Sequence, residues 1–174
     1  SRKDFNPRMP SGIYVSTADK GTGWQVEIDT EMNLQEEVEL THQIIYKDQL
    51  LVSGSDRVIP DPAVSIQVNQ QRLFVENPLL WSPEEPVLYQ LKTQLKTVPK
   101  DGNGDIEIIE TIVQNIGFRI VELDPQEGFI LNGKRMKLNG VCEHHDLGAL
   151  GAAFNKNALK RRFQILKEMG VNAL

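Results

Sequence analysis

The sequence predicts a mainly β chain, with an antiparallel β-sandwich over 23–119 followed by an incomplete β/α barrel segment over 120–174. Three observations carry this. Short runs of period two follow one another through the first part of the chain, with no helical pattern between them. After Gly117-Phe-Arg119 the pattern changes to strand, polar loop, amphipathic helix and strand, the parallel unit of an α/β fold. At the end of that first strand lies Gly140-Val-Cys-Glu-His-His-Asp-Leu-Gly-Ala-Leu-Gly151, a cluster of thiol, carboxylate and imidazole groups.

Residues 1–22 read as an irregular lead-in, punctuated by Pro7, Pro10, Gly12 and Gly21. Trp24, Val26 and Ile28 then alternate with Gln25, Glu27 and Asp29, which is the mark of a half-buried strand. Val38, Leu40, His42, Ile44 and Tyr46 share one face of a second strand. Residues 50–52 and 57–59 are two shorter candidates. Val64, Ile66 and Val68 form another face, and Leu73 and Val75 one more. A long strand over 87–98 places Val87, Tyr89, Leu91, Thr93 and Leu95 on one side. Lys100-Asp-Gly-Asn-Gly-Asp105 reads as a hairpin turn, since Gly and Asn tolerate positive φ, and 106–113 returns along the long strand. About seven short strands at this spacing indicate a sandwich. Cys142 is the only cysteine, so packing rather than a disulfide must hold the sheets together. The proline-rich loop around Trp81 has little entropy to lose on ordering. Trp81 itself reads as an anchor pinning that loop to the sheet edge, in preference to a platform for ligand stacking.

Beyond Arg119, residues 129–138 read as a small hairpin with Asn132-Gly133 as its type I′ turn. Residues 136–143 read as a strand. Asn155 or Asn157 caps the helix that follows, whose apolar face is Leu159, Phe163, Leu166 and Met169. Gly170 stops it, and 171–174 begins another strand.

Net charge is −5 and no Lys/Arg cluster stands out, which argues against nucleic acid as a partner. No apolar stretch approaches membrane-spanning length, which argues against a membrane partner. The first residues lack the apolar core of a signal peptide. The lone cysteine leans toward a reducing compartment, but a bacterial periplasmic protein has the same look, so cytoplasm and periplasm both stay open.

Strand parity sorts the cysteine-to-aspartate run. Gly140, Cys142, His144 and Asp146 share one side, and Val141, Glu143 and His145 the other. In a barrel the first set faces the interior and its C-terminal mouth, where such enzymes place their sites. Three readings stay open for His144: a substrate contact, a structural histidine bonded to the loop backbone, or a metal ligand. Metal ligation lacks a fourth ligand nearby. Asp146 suits loop capping as well as sugar contact. Cys142 has no nucleophile–base–orienter arrangement around it and reads as a buried, inert thiol. His42, on an apolar strand face, reads as a satisfied core or sheet-edge histidine. Asp19, Asp29, Asp56 and Asp61 are scattered and show no calcium-loop spacing.

Four stretches, in order, resemble family 2 glycoside hydrolases, the group of β-galactosidases, β-glucuronidases and β-mannosidases. They are Asn77-Pro-Leu-Leu-Trp-Ser-Pro-Glu-Glu-Pro-Val-Leu-Tyr89, Gly117-Phe-Arg119, Gly128-Phe-Ile-Leu-Asn-Gly133, and Gly140 to Asp146 with Leu166-Lys-Glu-Met-Gly-Val-Asn-Ala173. The resemblance implies an immunoglobulin-like sandwich followed by the first strand and helix of a catalytic TIM barrel. It implies a retaining glycosidase that uses two carboxyl groups, with β-galactosidase-like members closest around His144. Family members carry both glutamates on later barrel strands, so no catalytic residue is expected among these 174 residues. The chain is expected to be an inactive, structural fragment. His144 alone carries over, as a residue lining the sugar site. Cys142-Glu143 stands where many members have Asn-Arg. No cofactor is expected from this chain, while a divalent metal elsewhere in the parent enzyme is left open. The expected partner is a β-galactoside, with self-association through the Phe163 face and an unpaired strand edge. The competing reading is a non-catalytic carbohydrate-binding or protein-interaction sandwich.

Overall fold

The computed structural model describes residues 12–99, 105–144 and 146–174. The chain divides into two compact units, one ending at Ile120 and one beginning at Val121.

The first unit is a sandwich of antiparallel strands: β1 (Ile13–Asp19), β2 (Trp24–Met32), β3 (Val38–Tyr46), β4 (Gln49–Val58), β5 (Gln67–Val75), β6 (Tyr89–Thr97) and β7 (Ile108–Ile116). One sheet has the order β1-β2-β5 and the other β4-β3-β6-β7. Strict alternation builds the interface between them. Along β2, Trp24, Val26, Ile28, Thr30 and Met32 are buried and every residue between is half-exposed. Val38, Leu40 and Ile44 of β3 and Leu91 and Leu95 of β6 meet them from the other sheet. Phe118 closes one end of the core, edge-on to Trp24 with centroids 5.5 Å apart and to Tyr89 at 5.0 Å. The Tyr89 hydroxyl accepts from the Leu79 N–H at 2.8 Å, tying the proline-rich loop to the start of β6. This is the tyrosine-corner device of such sandwiches.

A polar bridge joins the sheets where a disulfide would otherwise serve. His42 is fully buried, with Nδ1 2.8 Å from Thr93 Oγ1 and Nε2 3.2 Å from Thr30 Oγ1. His42 is therefore the satisfied core histidine that its strand face suggested.

Several boundaries differ from the sequence reading. Residues 12–22 are not an irregular lead-in: β1 occupies Ile13–Asp19 and pairs with β2 from Ile13↔Thr30 to Asp19↔Trp24. As an edge strand with few large inward residues, it leaves only a faint alternation. The two short candidates at 50–52 and 57–59 are one strand, β4, whose middle is Ser53-Gly54-Ser55-Asp56. Gly54 suits that close approach, because a Cβ there would come 2.7 Å from Leu73 Cδ2 and the leucine would have to shift. Val64 and Ile66 lie in a loop ahead of β5. Residues 100–104 of the expected hairpin turn lie outside the described residues.

In the second unit, β8 (Val121–Asp124), β9 (Gly128–Leu131) and β10 (Lys134–Arg135) form a small antiparallel sheet of order β10-β9-β8. Asn132 and Gly133 both have positive φ, 51° and 74°, as a type I′ turn requires. Helix α1 (Lys156–Glu168) follows, and its cap is Asn155, whose side chain accepts from the N–H groups of Asn157 and Ala158. Residues 136–143 do not form a ladder. They meet the end of the chain in a single parallel bridge, Gly140↔Ala173.

Candidate functional site

The second unit holds a cavity of about 220 Å³ between the 143–155 loop and α1. Its apolar lining includes Leu147, Phe154, Leu159 and Phe163, and its polar groups are Glu143, His144, Asp146, Asn155 and Arg162. A single parallel bridge, Gly140↔Ala173, and a helix position these groups. Asn172 holds the strand segments together: its Nδ2 donates to the Lys137 carbonyl at 2.9 Å, and its Oδ1 accepts from the Asn139 N–H at 2.8 Å. Asn139 Nδ2 donates in turn to the Gly170 carbonyl at 3.3 Å.

The side chains of 141–144 follow the expected parity. Val141 and Glu143 are half-buried, while Cys142 and His144 are exposed. Glu143 faces α1 and pairs with the Arg162 guanidinium. His144 borders the cavity, as does Asp146. Asp146 works through its backbone: its N–H donates to the His144 carbonyl at 2.8 Å, and its carbonyl accepts from Arg162 Nη2 at 2.9 Å. His145 lies outside the described residues.

Cys142 corrects the sequence reading. It is exposed, not buried, because its neighbour Glu143 is the residue that turns to α1 and pairs with Arg162. Among the described residues no group of three or more His, Cys, Asp or Glu is placed to hold a metal ion. No helix among them is long and apolar enough to cross a membrane.

Arg162, Asn139 and Asn172 were not singled out as site residues from the sequence. Arg162 left one signal. It lies three residues after Leu159 and four before Leu166, on the half-buried side of α1. A cation within that stripe needs an acidic or carbonyl partner facing it. The asparagines left none, since their partners are backbone groups more than thirty positions away.

In the sandwich, Trp81 is the anchor it was expected to be. Its backbone N–H donates to the Phe118 carbonyl at 2.7 Å, and the Arg119 guanidinium lies 5.1 Å from its ring centroid. Burial lowers the His42 pKa to about 4, only partly opposed by the Asp56 carboxylate.

Two family models match the chain. "Glycosyl hydrolases family 2" matches residues 12–119, and "Glycosyl hydrolases family 2, TIM barrel domain" matches residues 121–174. A beta-galactosidase of Bacteroides ovatus is 44% identical over 60% of this chain and 11% of its own length. A putative beta-glucuronidase of Formosa agariphila is 35% identical over 98% of this chain and 16% of its own. Among solved structures, a Bacteroides uniformis beta-glucuronidase is similar with a TM-score of 0.82 at 30% identity, covering 97% of this chain and 20% of that one. The chain thus spans roughly a ninth to a sixth of the length of these curated relatives.

Proposed function

The chain belongs to family 2 of the glycosyl hydrolases, and from that premise we propose that its residues serve a retaining glycosidase acting on terminal β-linked sugars, β-galactosides first. The observation that carries this reading is the unbroken succession of the two family matches, sandwich then barrel opening, at residues 12–119 and 121–174. In this reading the sandwich is a structural spacer and the barrel segment contributes His144 to the sugar site.

Retention requires two carboxyl groups about 5–5.5 Å apart, one acting as acid/base and one as nucleophile. Glu143 is committed to Arg162 on the helix side of its segment, so it is not assigned either role. The 174 residues alone are therefore expected to turn over no glycoside. Galactose is preferred on the 44% match to the B. ovatus beta-galactosidase. A second reading, glucuronide cleavage, has its own support in the 35% match that runs along 98% of the chain.

The test is a paired assay on a panel of aryl β-glycosides, with this chain and with a protein that joins it to a complete barrel. Turnover by the longer protein only, fastest on the galactoside, is the expected result. Fastest turnover on the glucuronide would move the assignment to the second reading. Activity of the 174 residues alone would overturn the placement of the carboxylates outside them.

A further inference from the structure

We propose that Arg162 and Glu143 form a positioning pair that sets where His144 stands at the edge of the cavity. The inference rests on the reading of His144 as a sugar-site residue and assigns a role to two residues behind it.

One guanidinium holds the chain on both sides of His144. Arg162 Nη1 donates to Glu143 Oε1, and Nη2 donates to the Asp146 carbonyl at 2.9 Å. The His144 carbonyl is closed into the same turn, accepting from the Asp146 N–H at 2.8 Å. The fork acts from α1, and the exposed His144 borders the same cavity that Glu143 and Arg162 line. It therefore restrains the backbone on either side of His144 and leaves the imidazole free of the fork's own hydrogen bonds.

Stability alone is a poor account of the pair. The Arg162 and Glu143 side chains keep 33% and 21% of their exposure, and α1 has no fully buried residue whose burial the pair would protect. For a partly buried pair such as this, desolvation offsets much of the attraction, so the pair is weak evidence of a purely stabilising role. What the fork does is restrict a polar loop containing two glycines at positive φ, Gly148 and Gly151. Among the described residues, further backbone ties of that loop are Leu147 N–H to the Gly151 carbonyl and Gly151 N–H to the Gly148 carbonyl, both beyond His144. A planar guanidinium spans two acceptors at fixed geometry, which the single ammonium of lysine does not. Positioning of this kind matters for rate, because a misplacement of about 1 Å can cost about 100-fold.

The first test uses this chain and the imidazole ¹H–¹⁵N signals of its histidines. Arg162→Lys and Glu143→Gln are each expected to displace and broaden the His144 signals and to leave those of His42 unchanged. His144 signals that stay in place in both variants would overturn the inference, whatever the enzyme does. The second test is kinetic, in the protein with a complete barrel. Arg162→Lys is expected to lower kcat/KM by about 10- to 100-fold. Added to His144→Ala, the same change should cost less than about two-fold, because both act through one side chain. Losses that multiply would mean that Arg162 acts independently of His144, and the positioning role would fall. If the unsubstituted protein turned over no glycoside, the glycosidase reading would fail, and the spectra alone would decide the pair.

Discussion

The two units are held together by different physics. In the sandwich, Val26, Ile28, Leu40, Ile44, Leu91, Leu95 and Phe118 are wholly removed from water. In the barrel segment α1 buries no residue completely, and Ile165 and Met169 are 46% and 72% exposed. Order there comes instead from side chains bonded to backbone: Asn155 at the helix cap, Asn172 and Asn139 between the strand segments, and Arg162 across the loop. Apolar burial is non-directional and sums to a cooperative core. Side-chain clasps are directional and individually worth about 1 kcal/mol, so they fix geometry more than they resist unfolding.

The comparison breaks most sharply at Phe118. Phe118→Ala removes a buried ring touching Trp24 and Tyr89, and a loss of about 3–5 kcal/mol is expected in urea unfolding. Leu166→Ala, on the half-buried side of α1, should cost about 1 kcal/mol or less. Equal costs at the two positions would show that the barrel segment has a core of its own.

A second break is set by pH. His42 is neutral in the fold with a pKa of about 4, against 6.5 in the unfolded chain. Between those values the unfolded state binds more protons, so stability is complete above about pH 6.5 and falls as pH drops toward 4. The full effect is about 3 kcal/mol. The groups involved are Thr30, Thr93 and Asp56, all in the sandwich. Denaturation midpoints measured from pH 7 to 4 should follow this slope, and His42→Gln should flatten it. A slope unchanged in that variant would place the titrating group elsewhere.

The same contrast explains what the sequence made legible. Strands that pack against the opposite sheet announce themselves: β2 alternates strictly, and β3 does so but for the buried Thr41, because each inward position must be apolar or satisfied. Edge strands have no such constraint. β1 and β4 carry Thr17, Gly54 and Asp56 at half-covered positions, and the alternation fades. In the barrel segment, the helix, its stop at Gly170 and the type I′ turn could be read because local chemistry sets them. The Arg162 fork could not, since its acceptors lie 16 and 19 positions back and no period links them. The error at Cys142 has the same origin. Parity gave the correct side of the segment, and burial depends on what covers that side.

The smallest predicted effect sharpens the comparison most, because it asks whether the units unfold separately. Asn155 satisfies the N–H groups of Asn157 and Ala158, and Asn155→Ala should weaken α1 by about 1 kcal/mol. If clasps act locally, amide exchange should accelerate about five-fold through α1 alone. The amides of β3 and β6, which exchange through opening of the sandwich, should keep their rates. The reason is that the cap's hydrogen bonds all close within residues 155–158, and α1 has no buried face through which the loss could spread. Faster exchange in β3 and β6 as well would mean that the two units share one cooperative transition, and the division between a burial-held and a clasp-held region would be wrong.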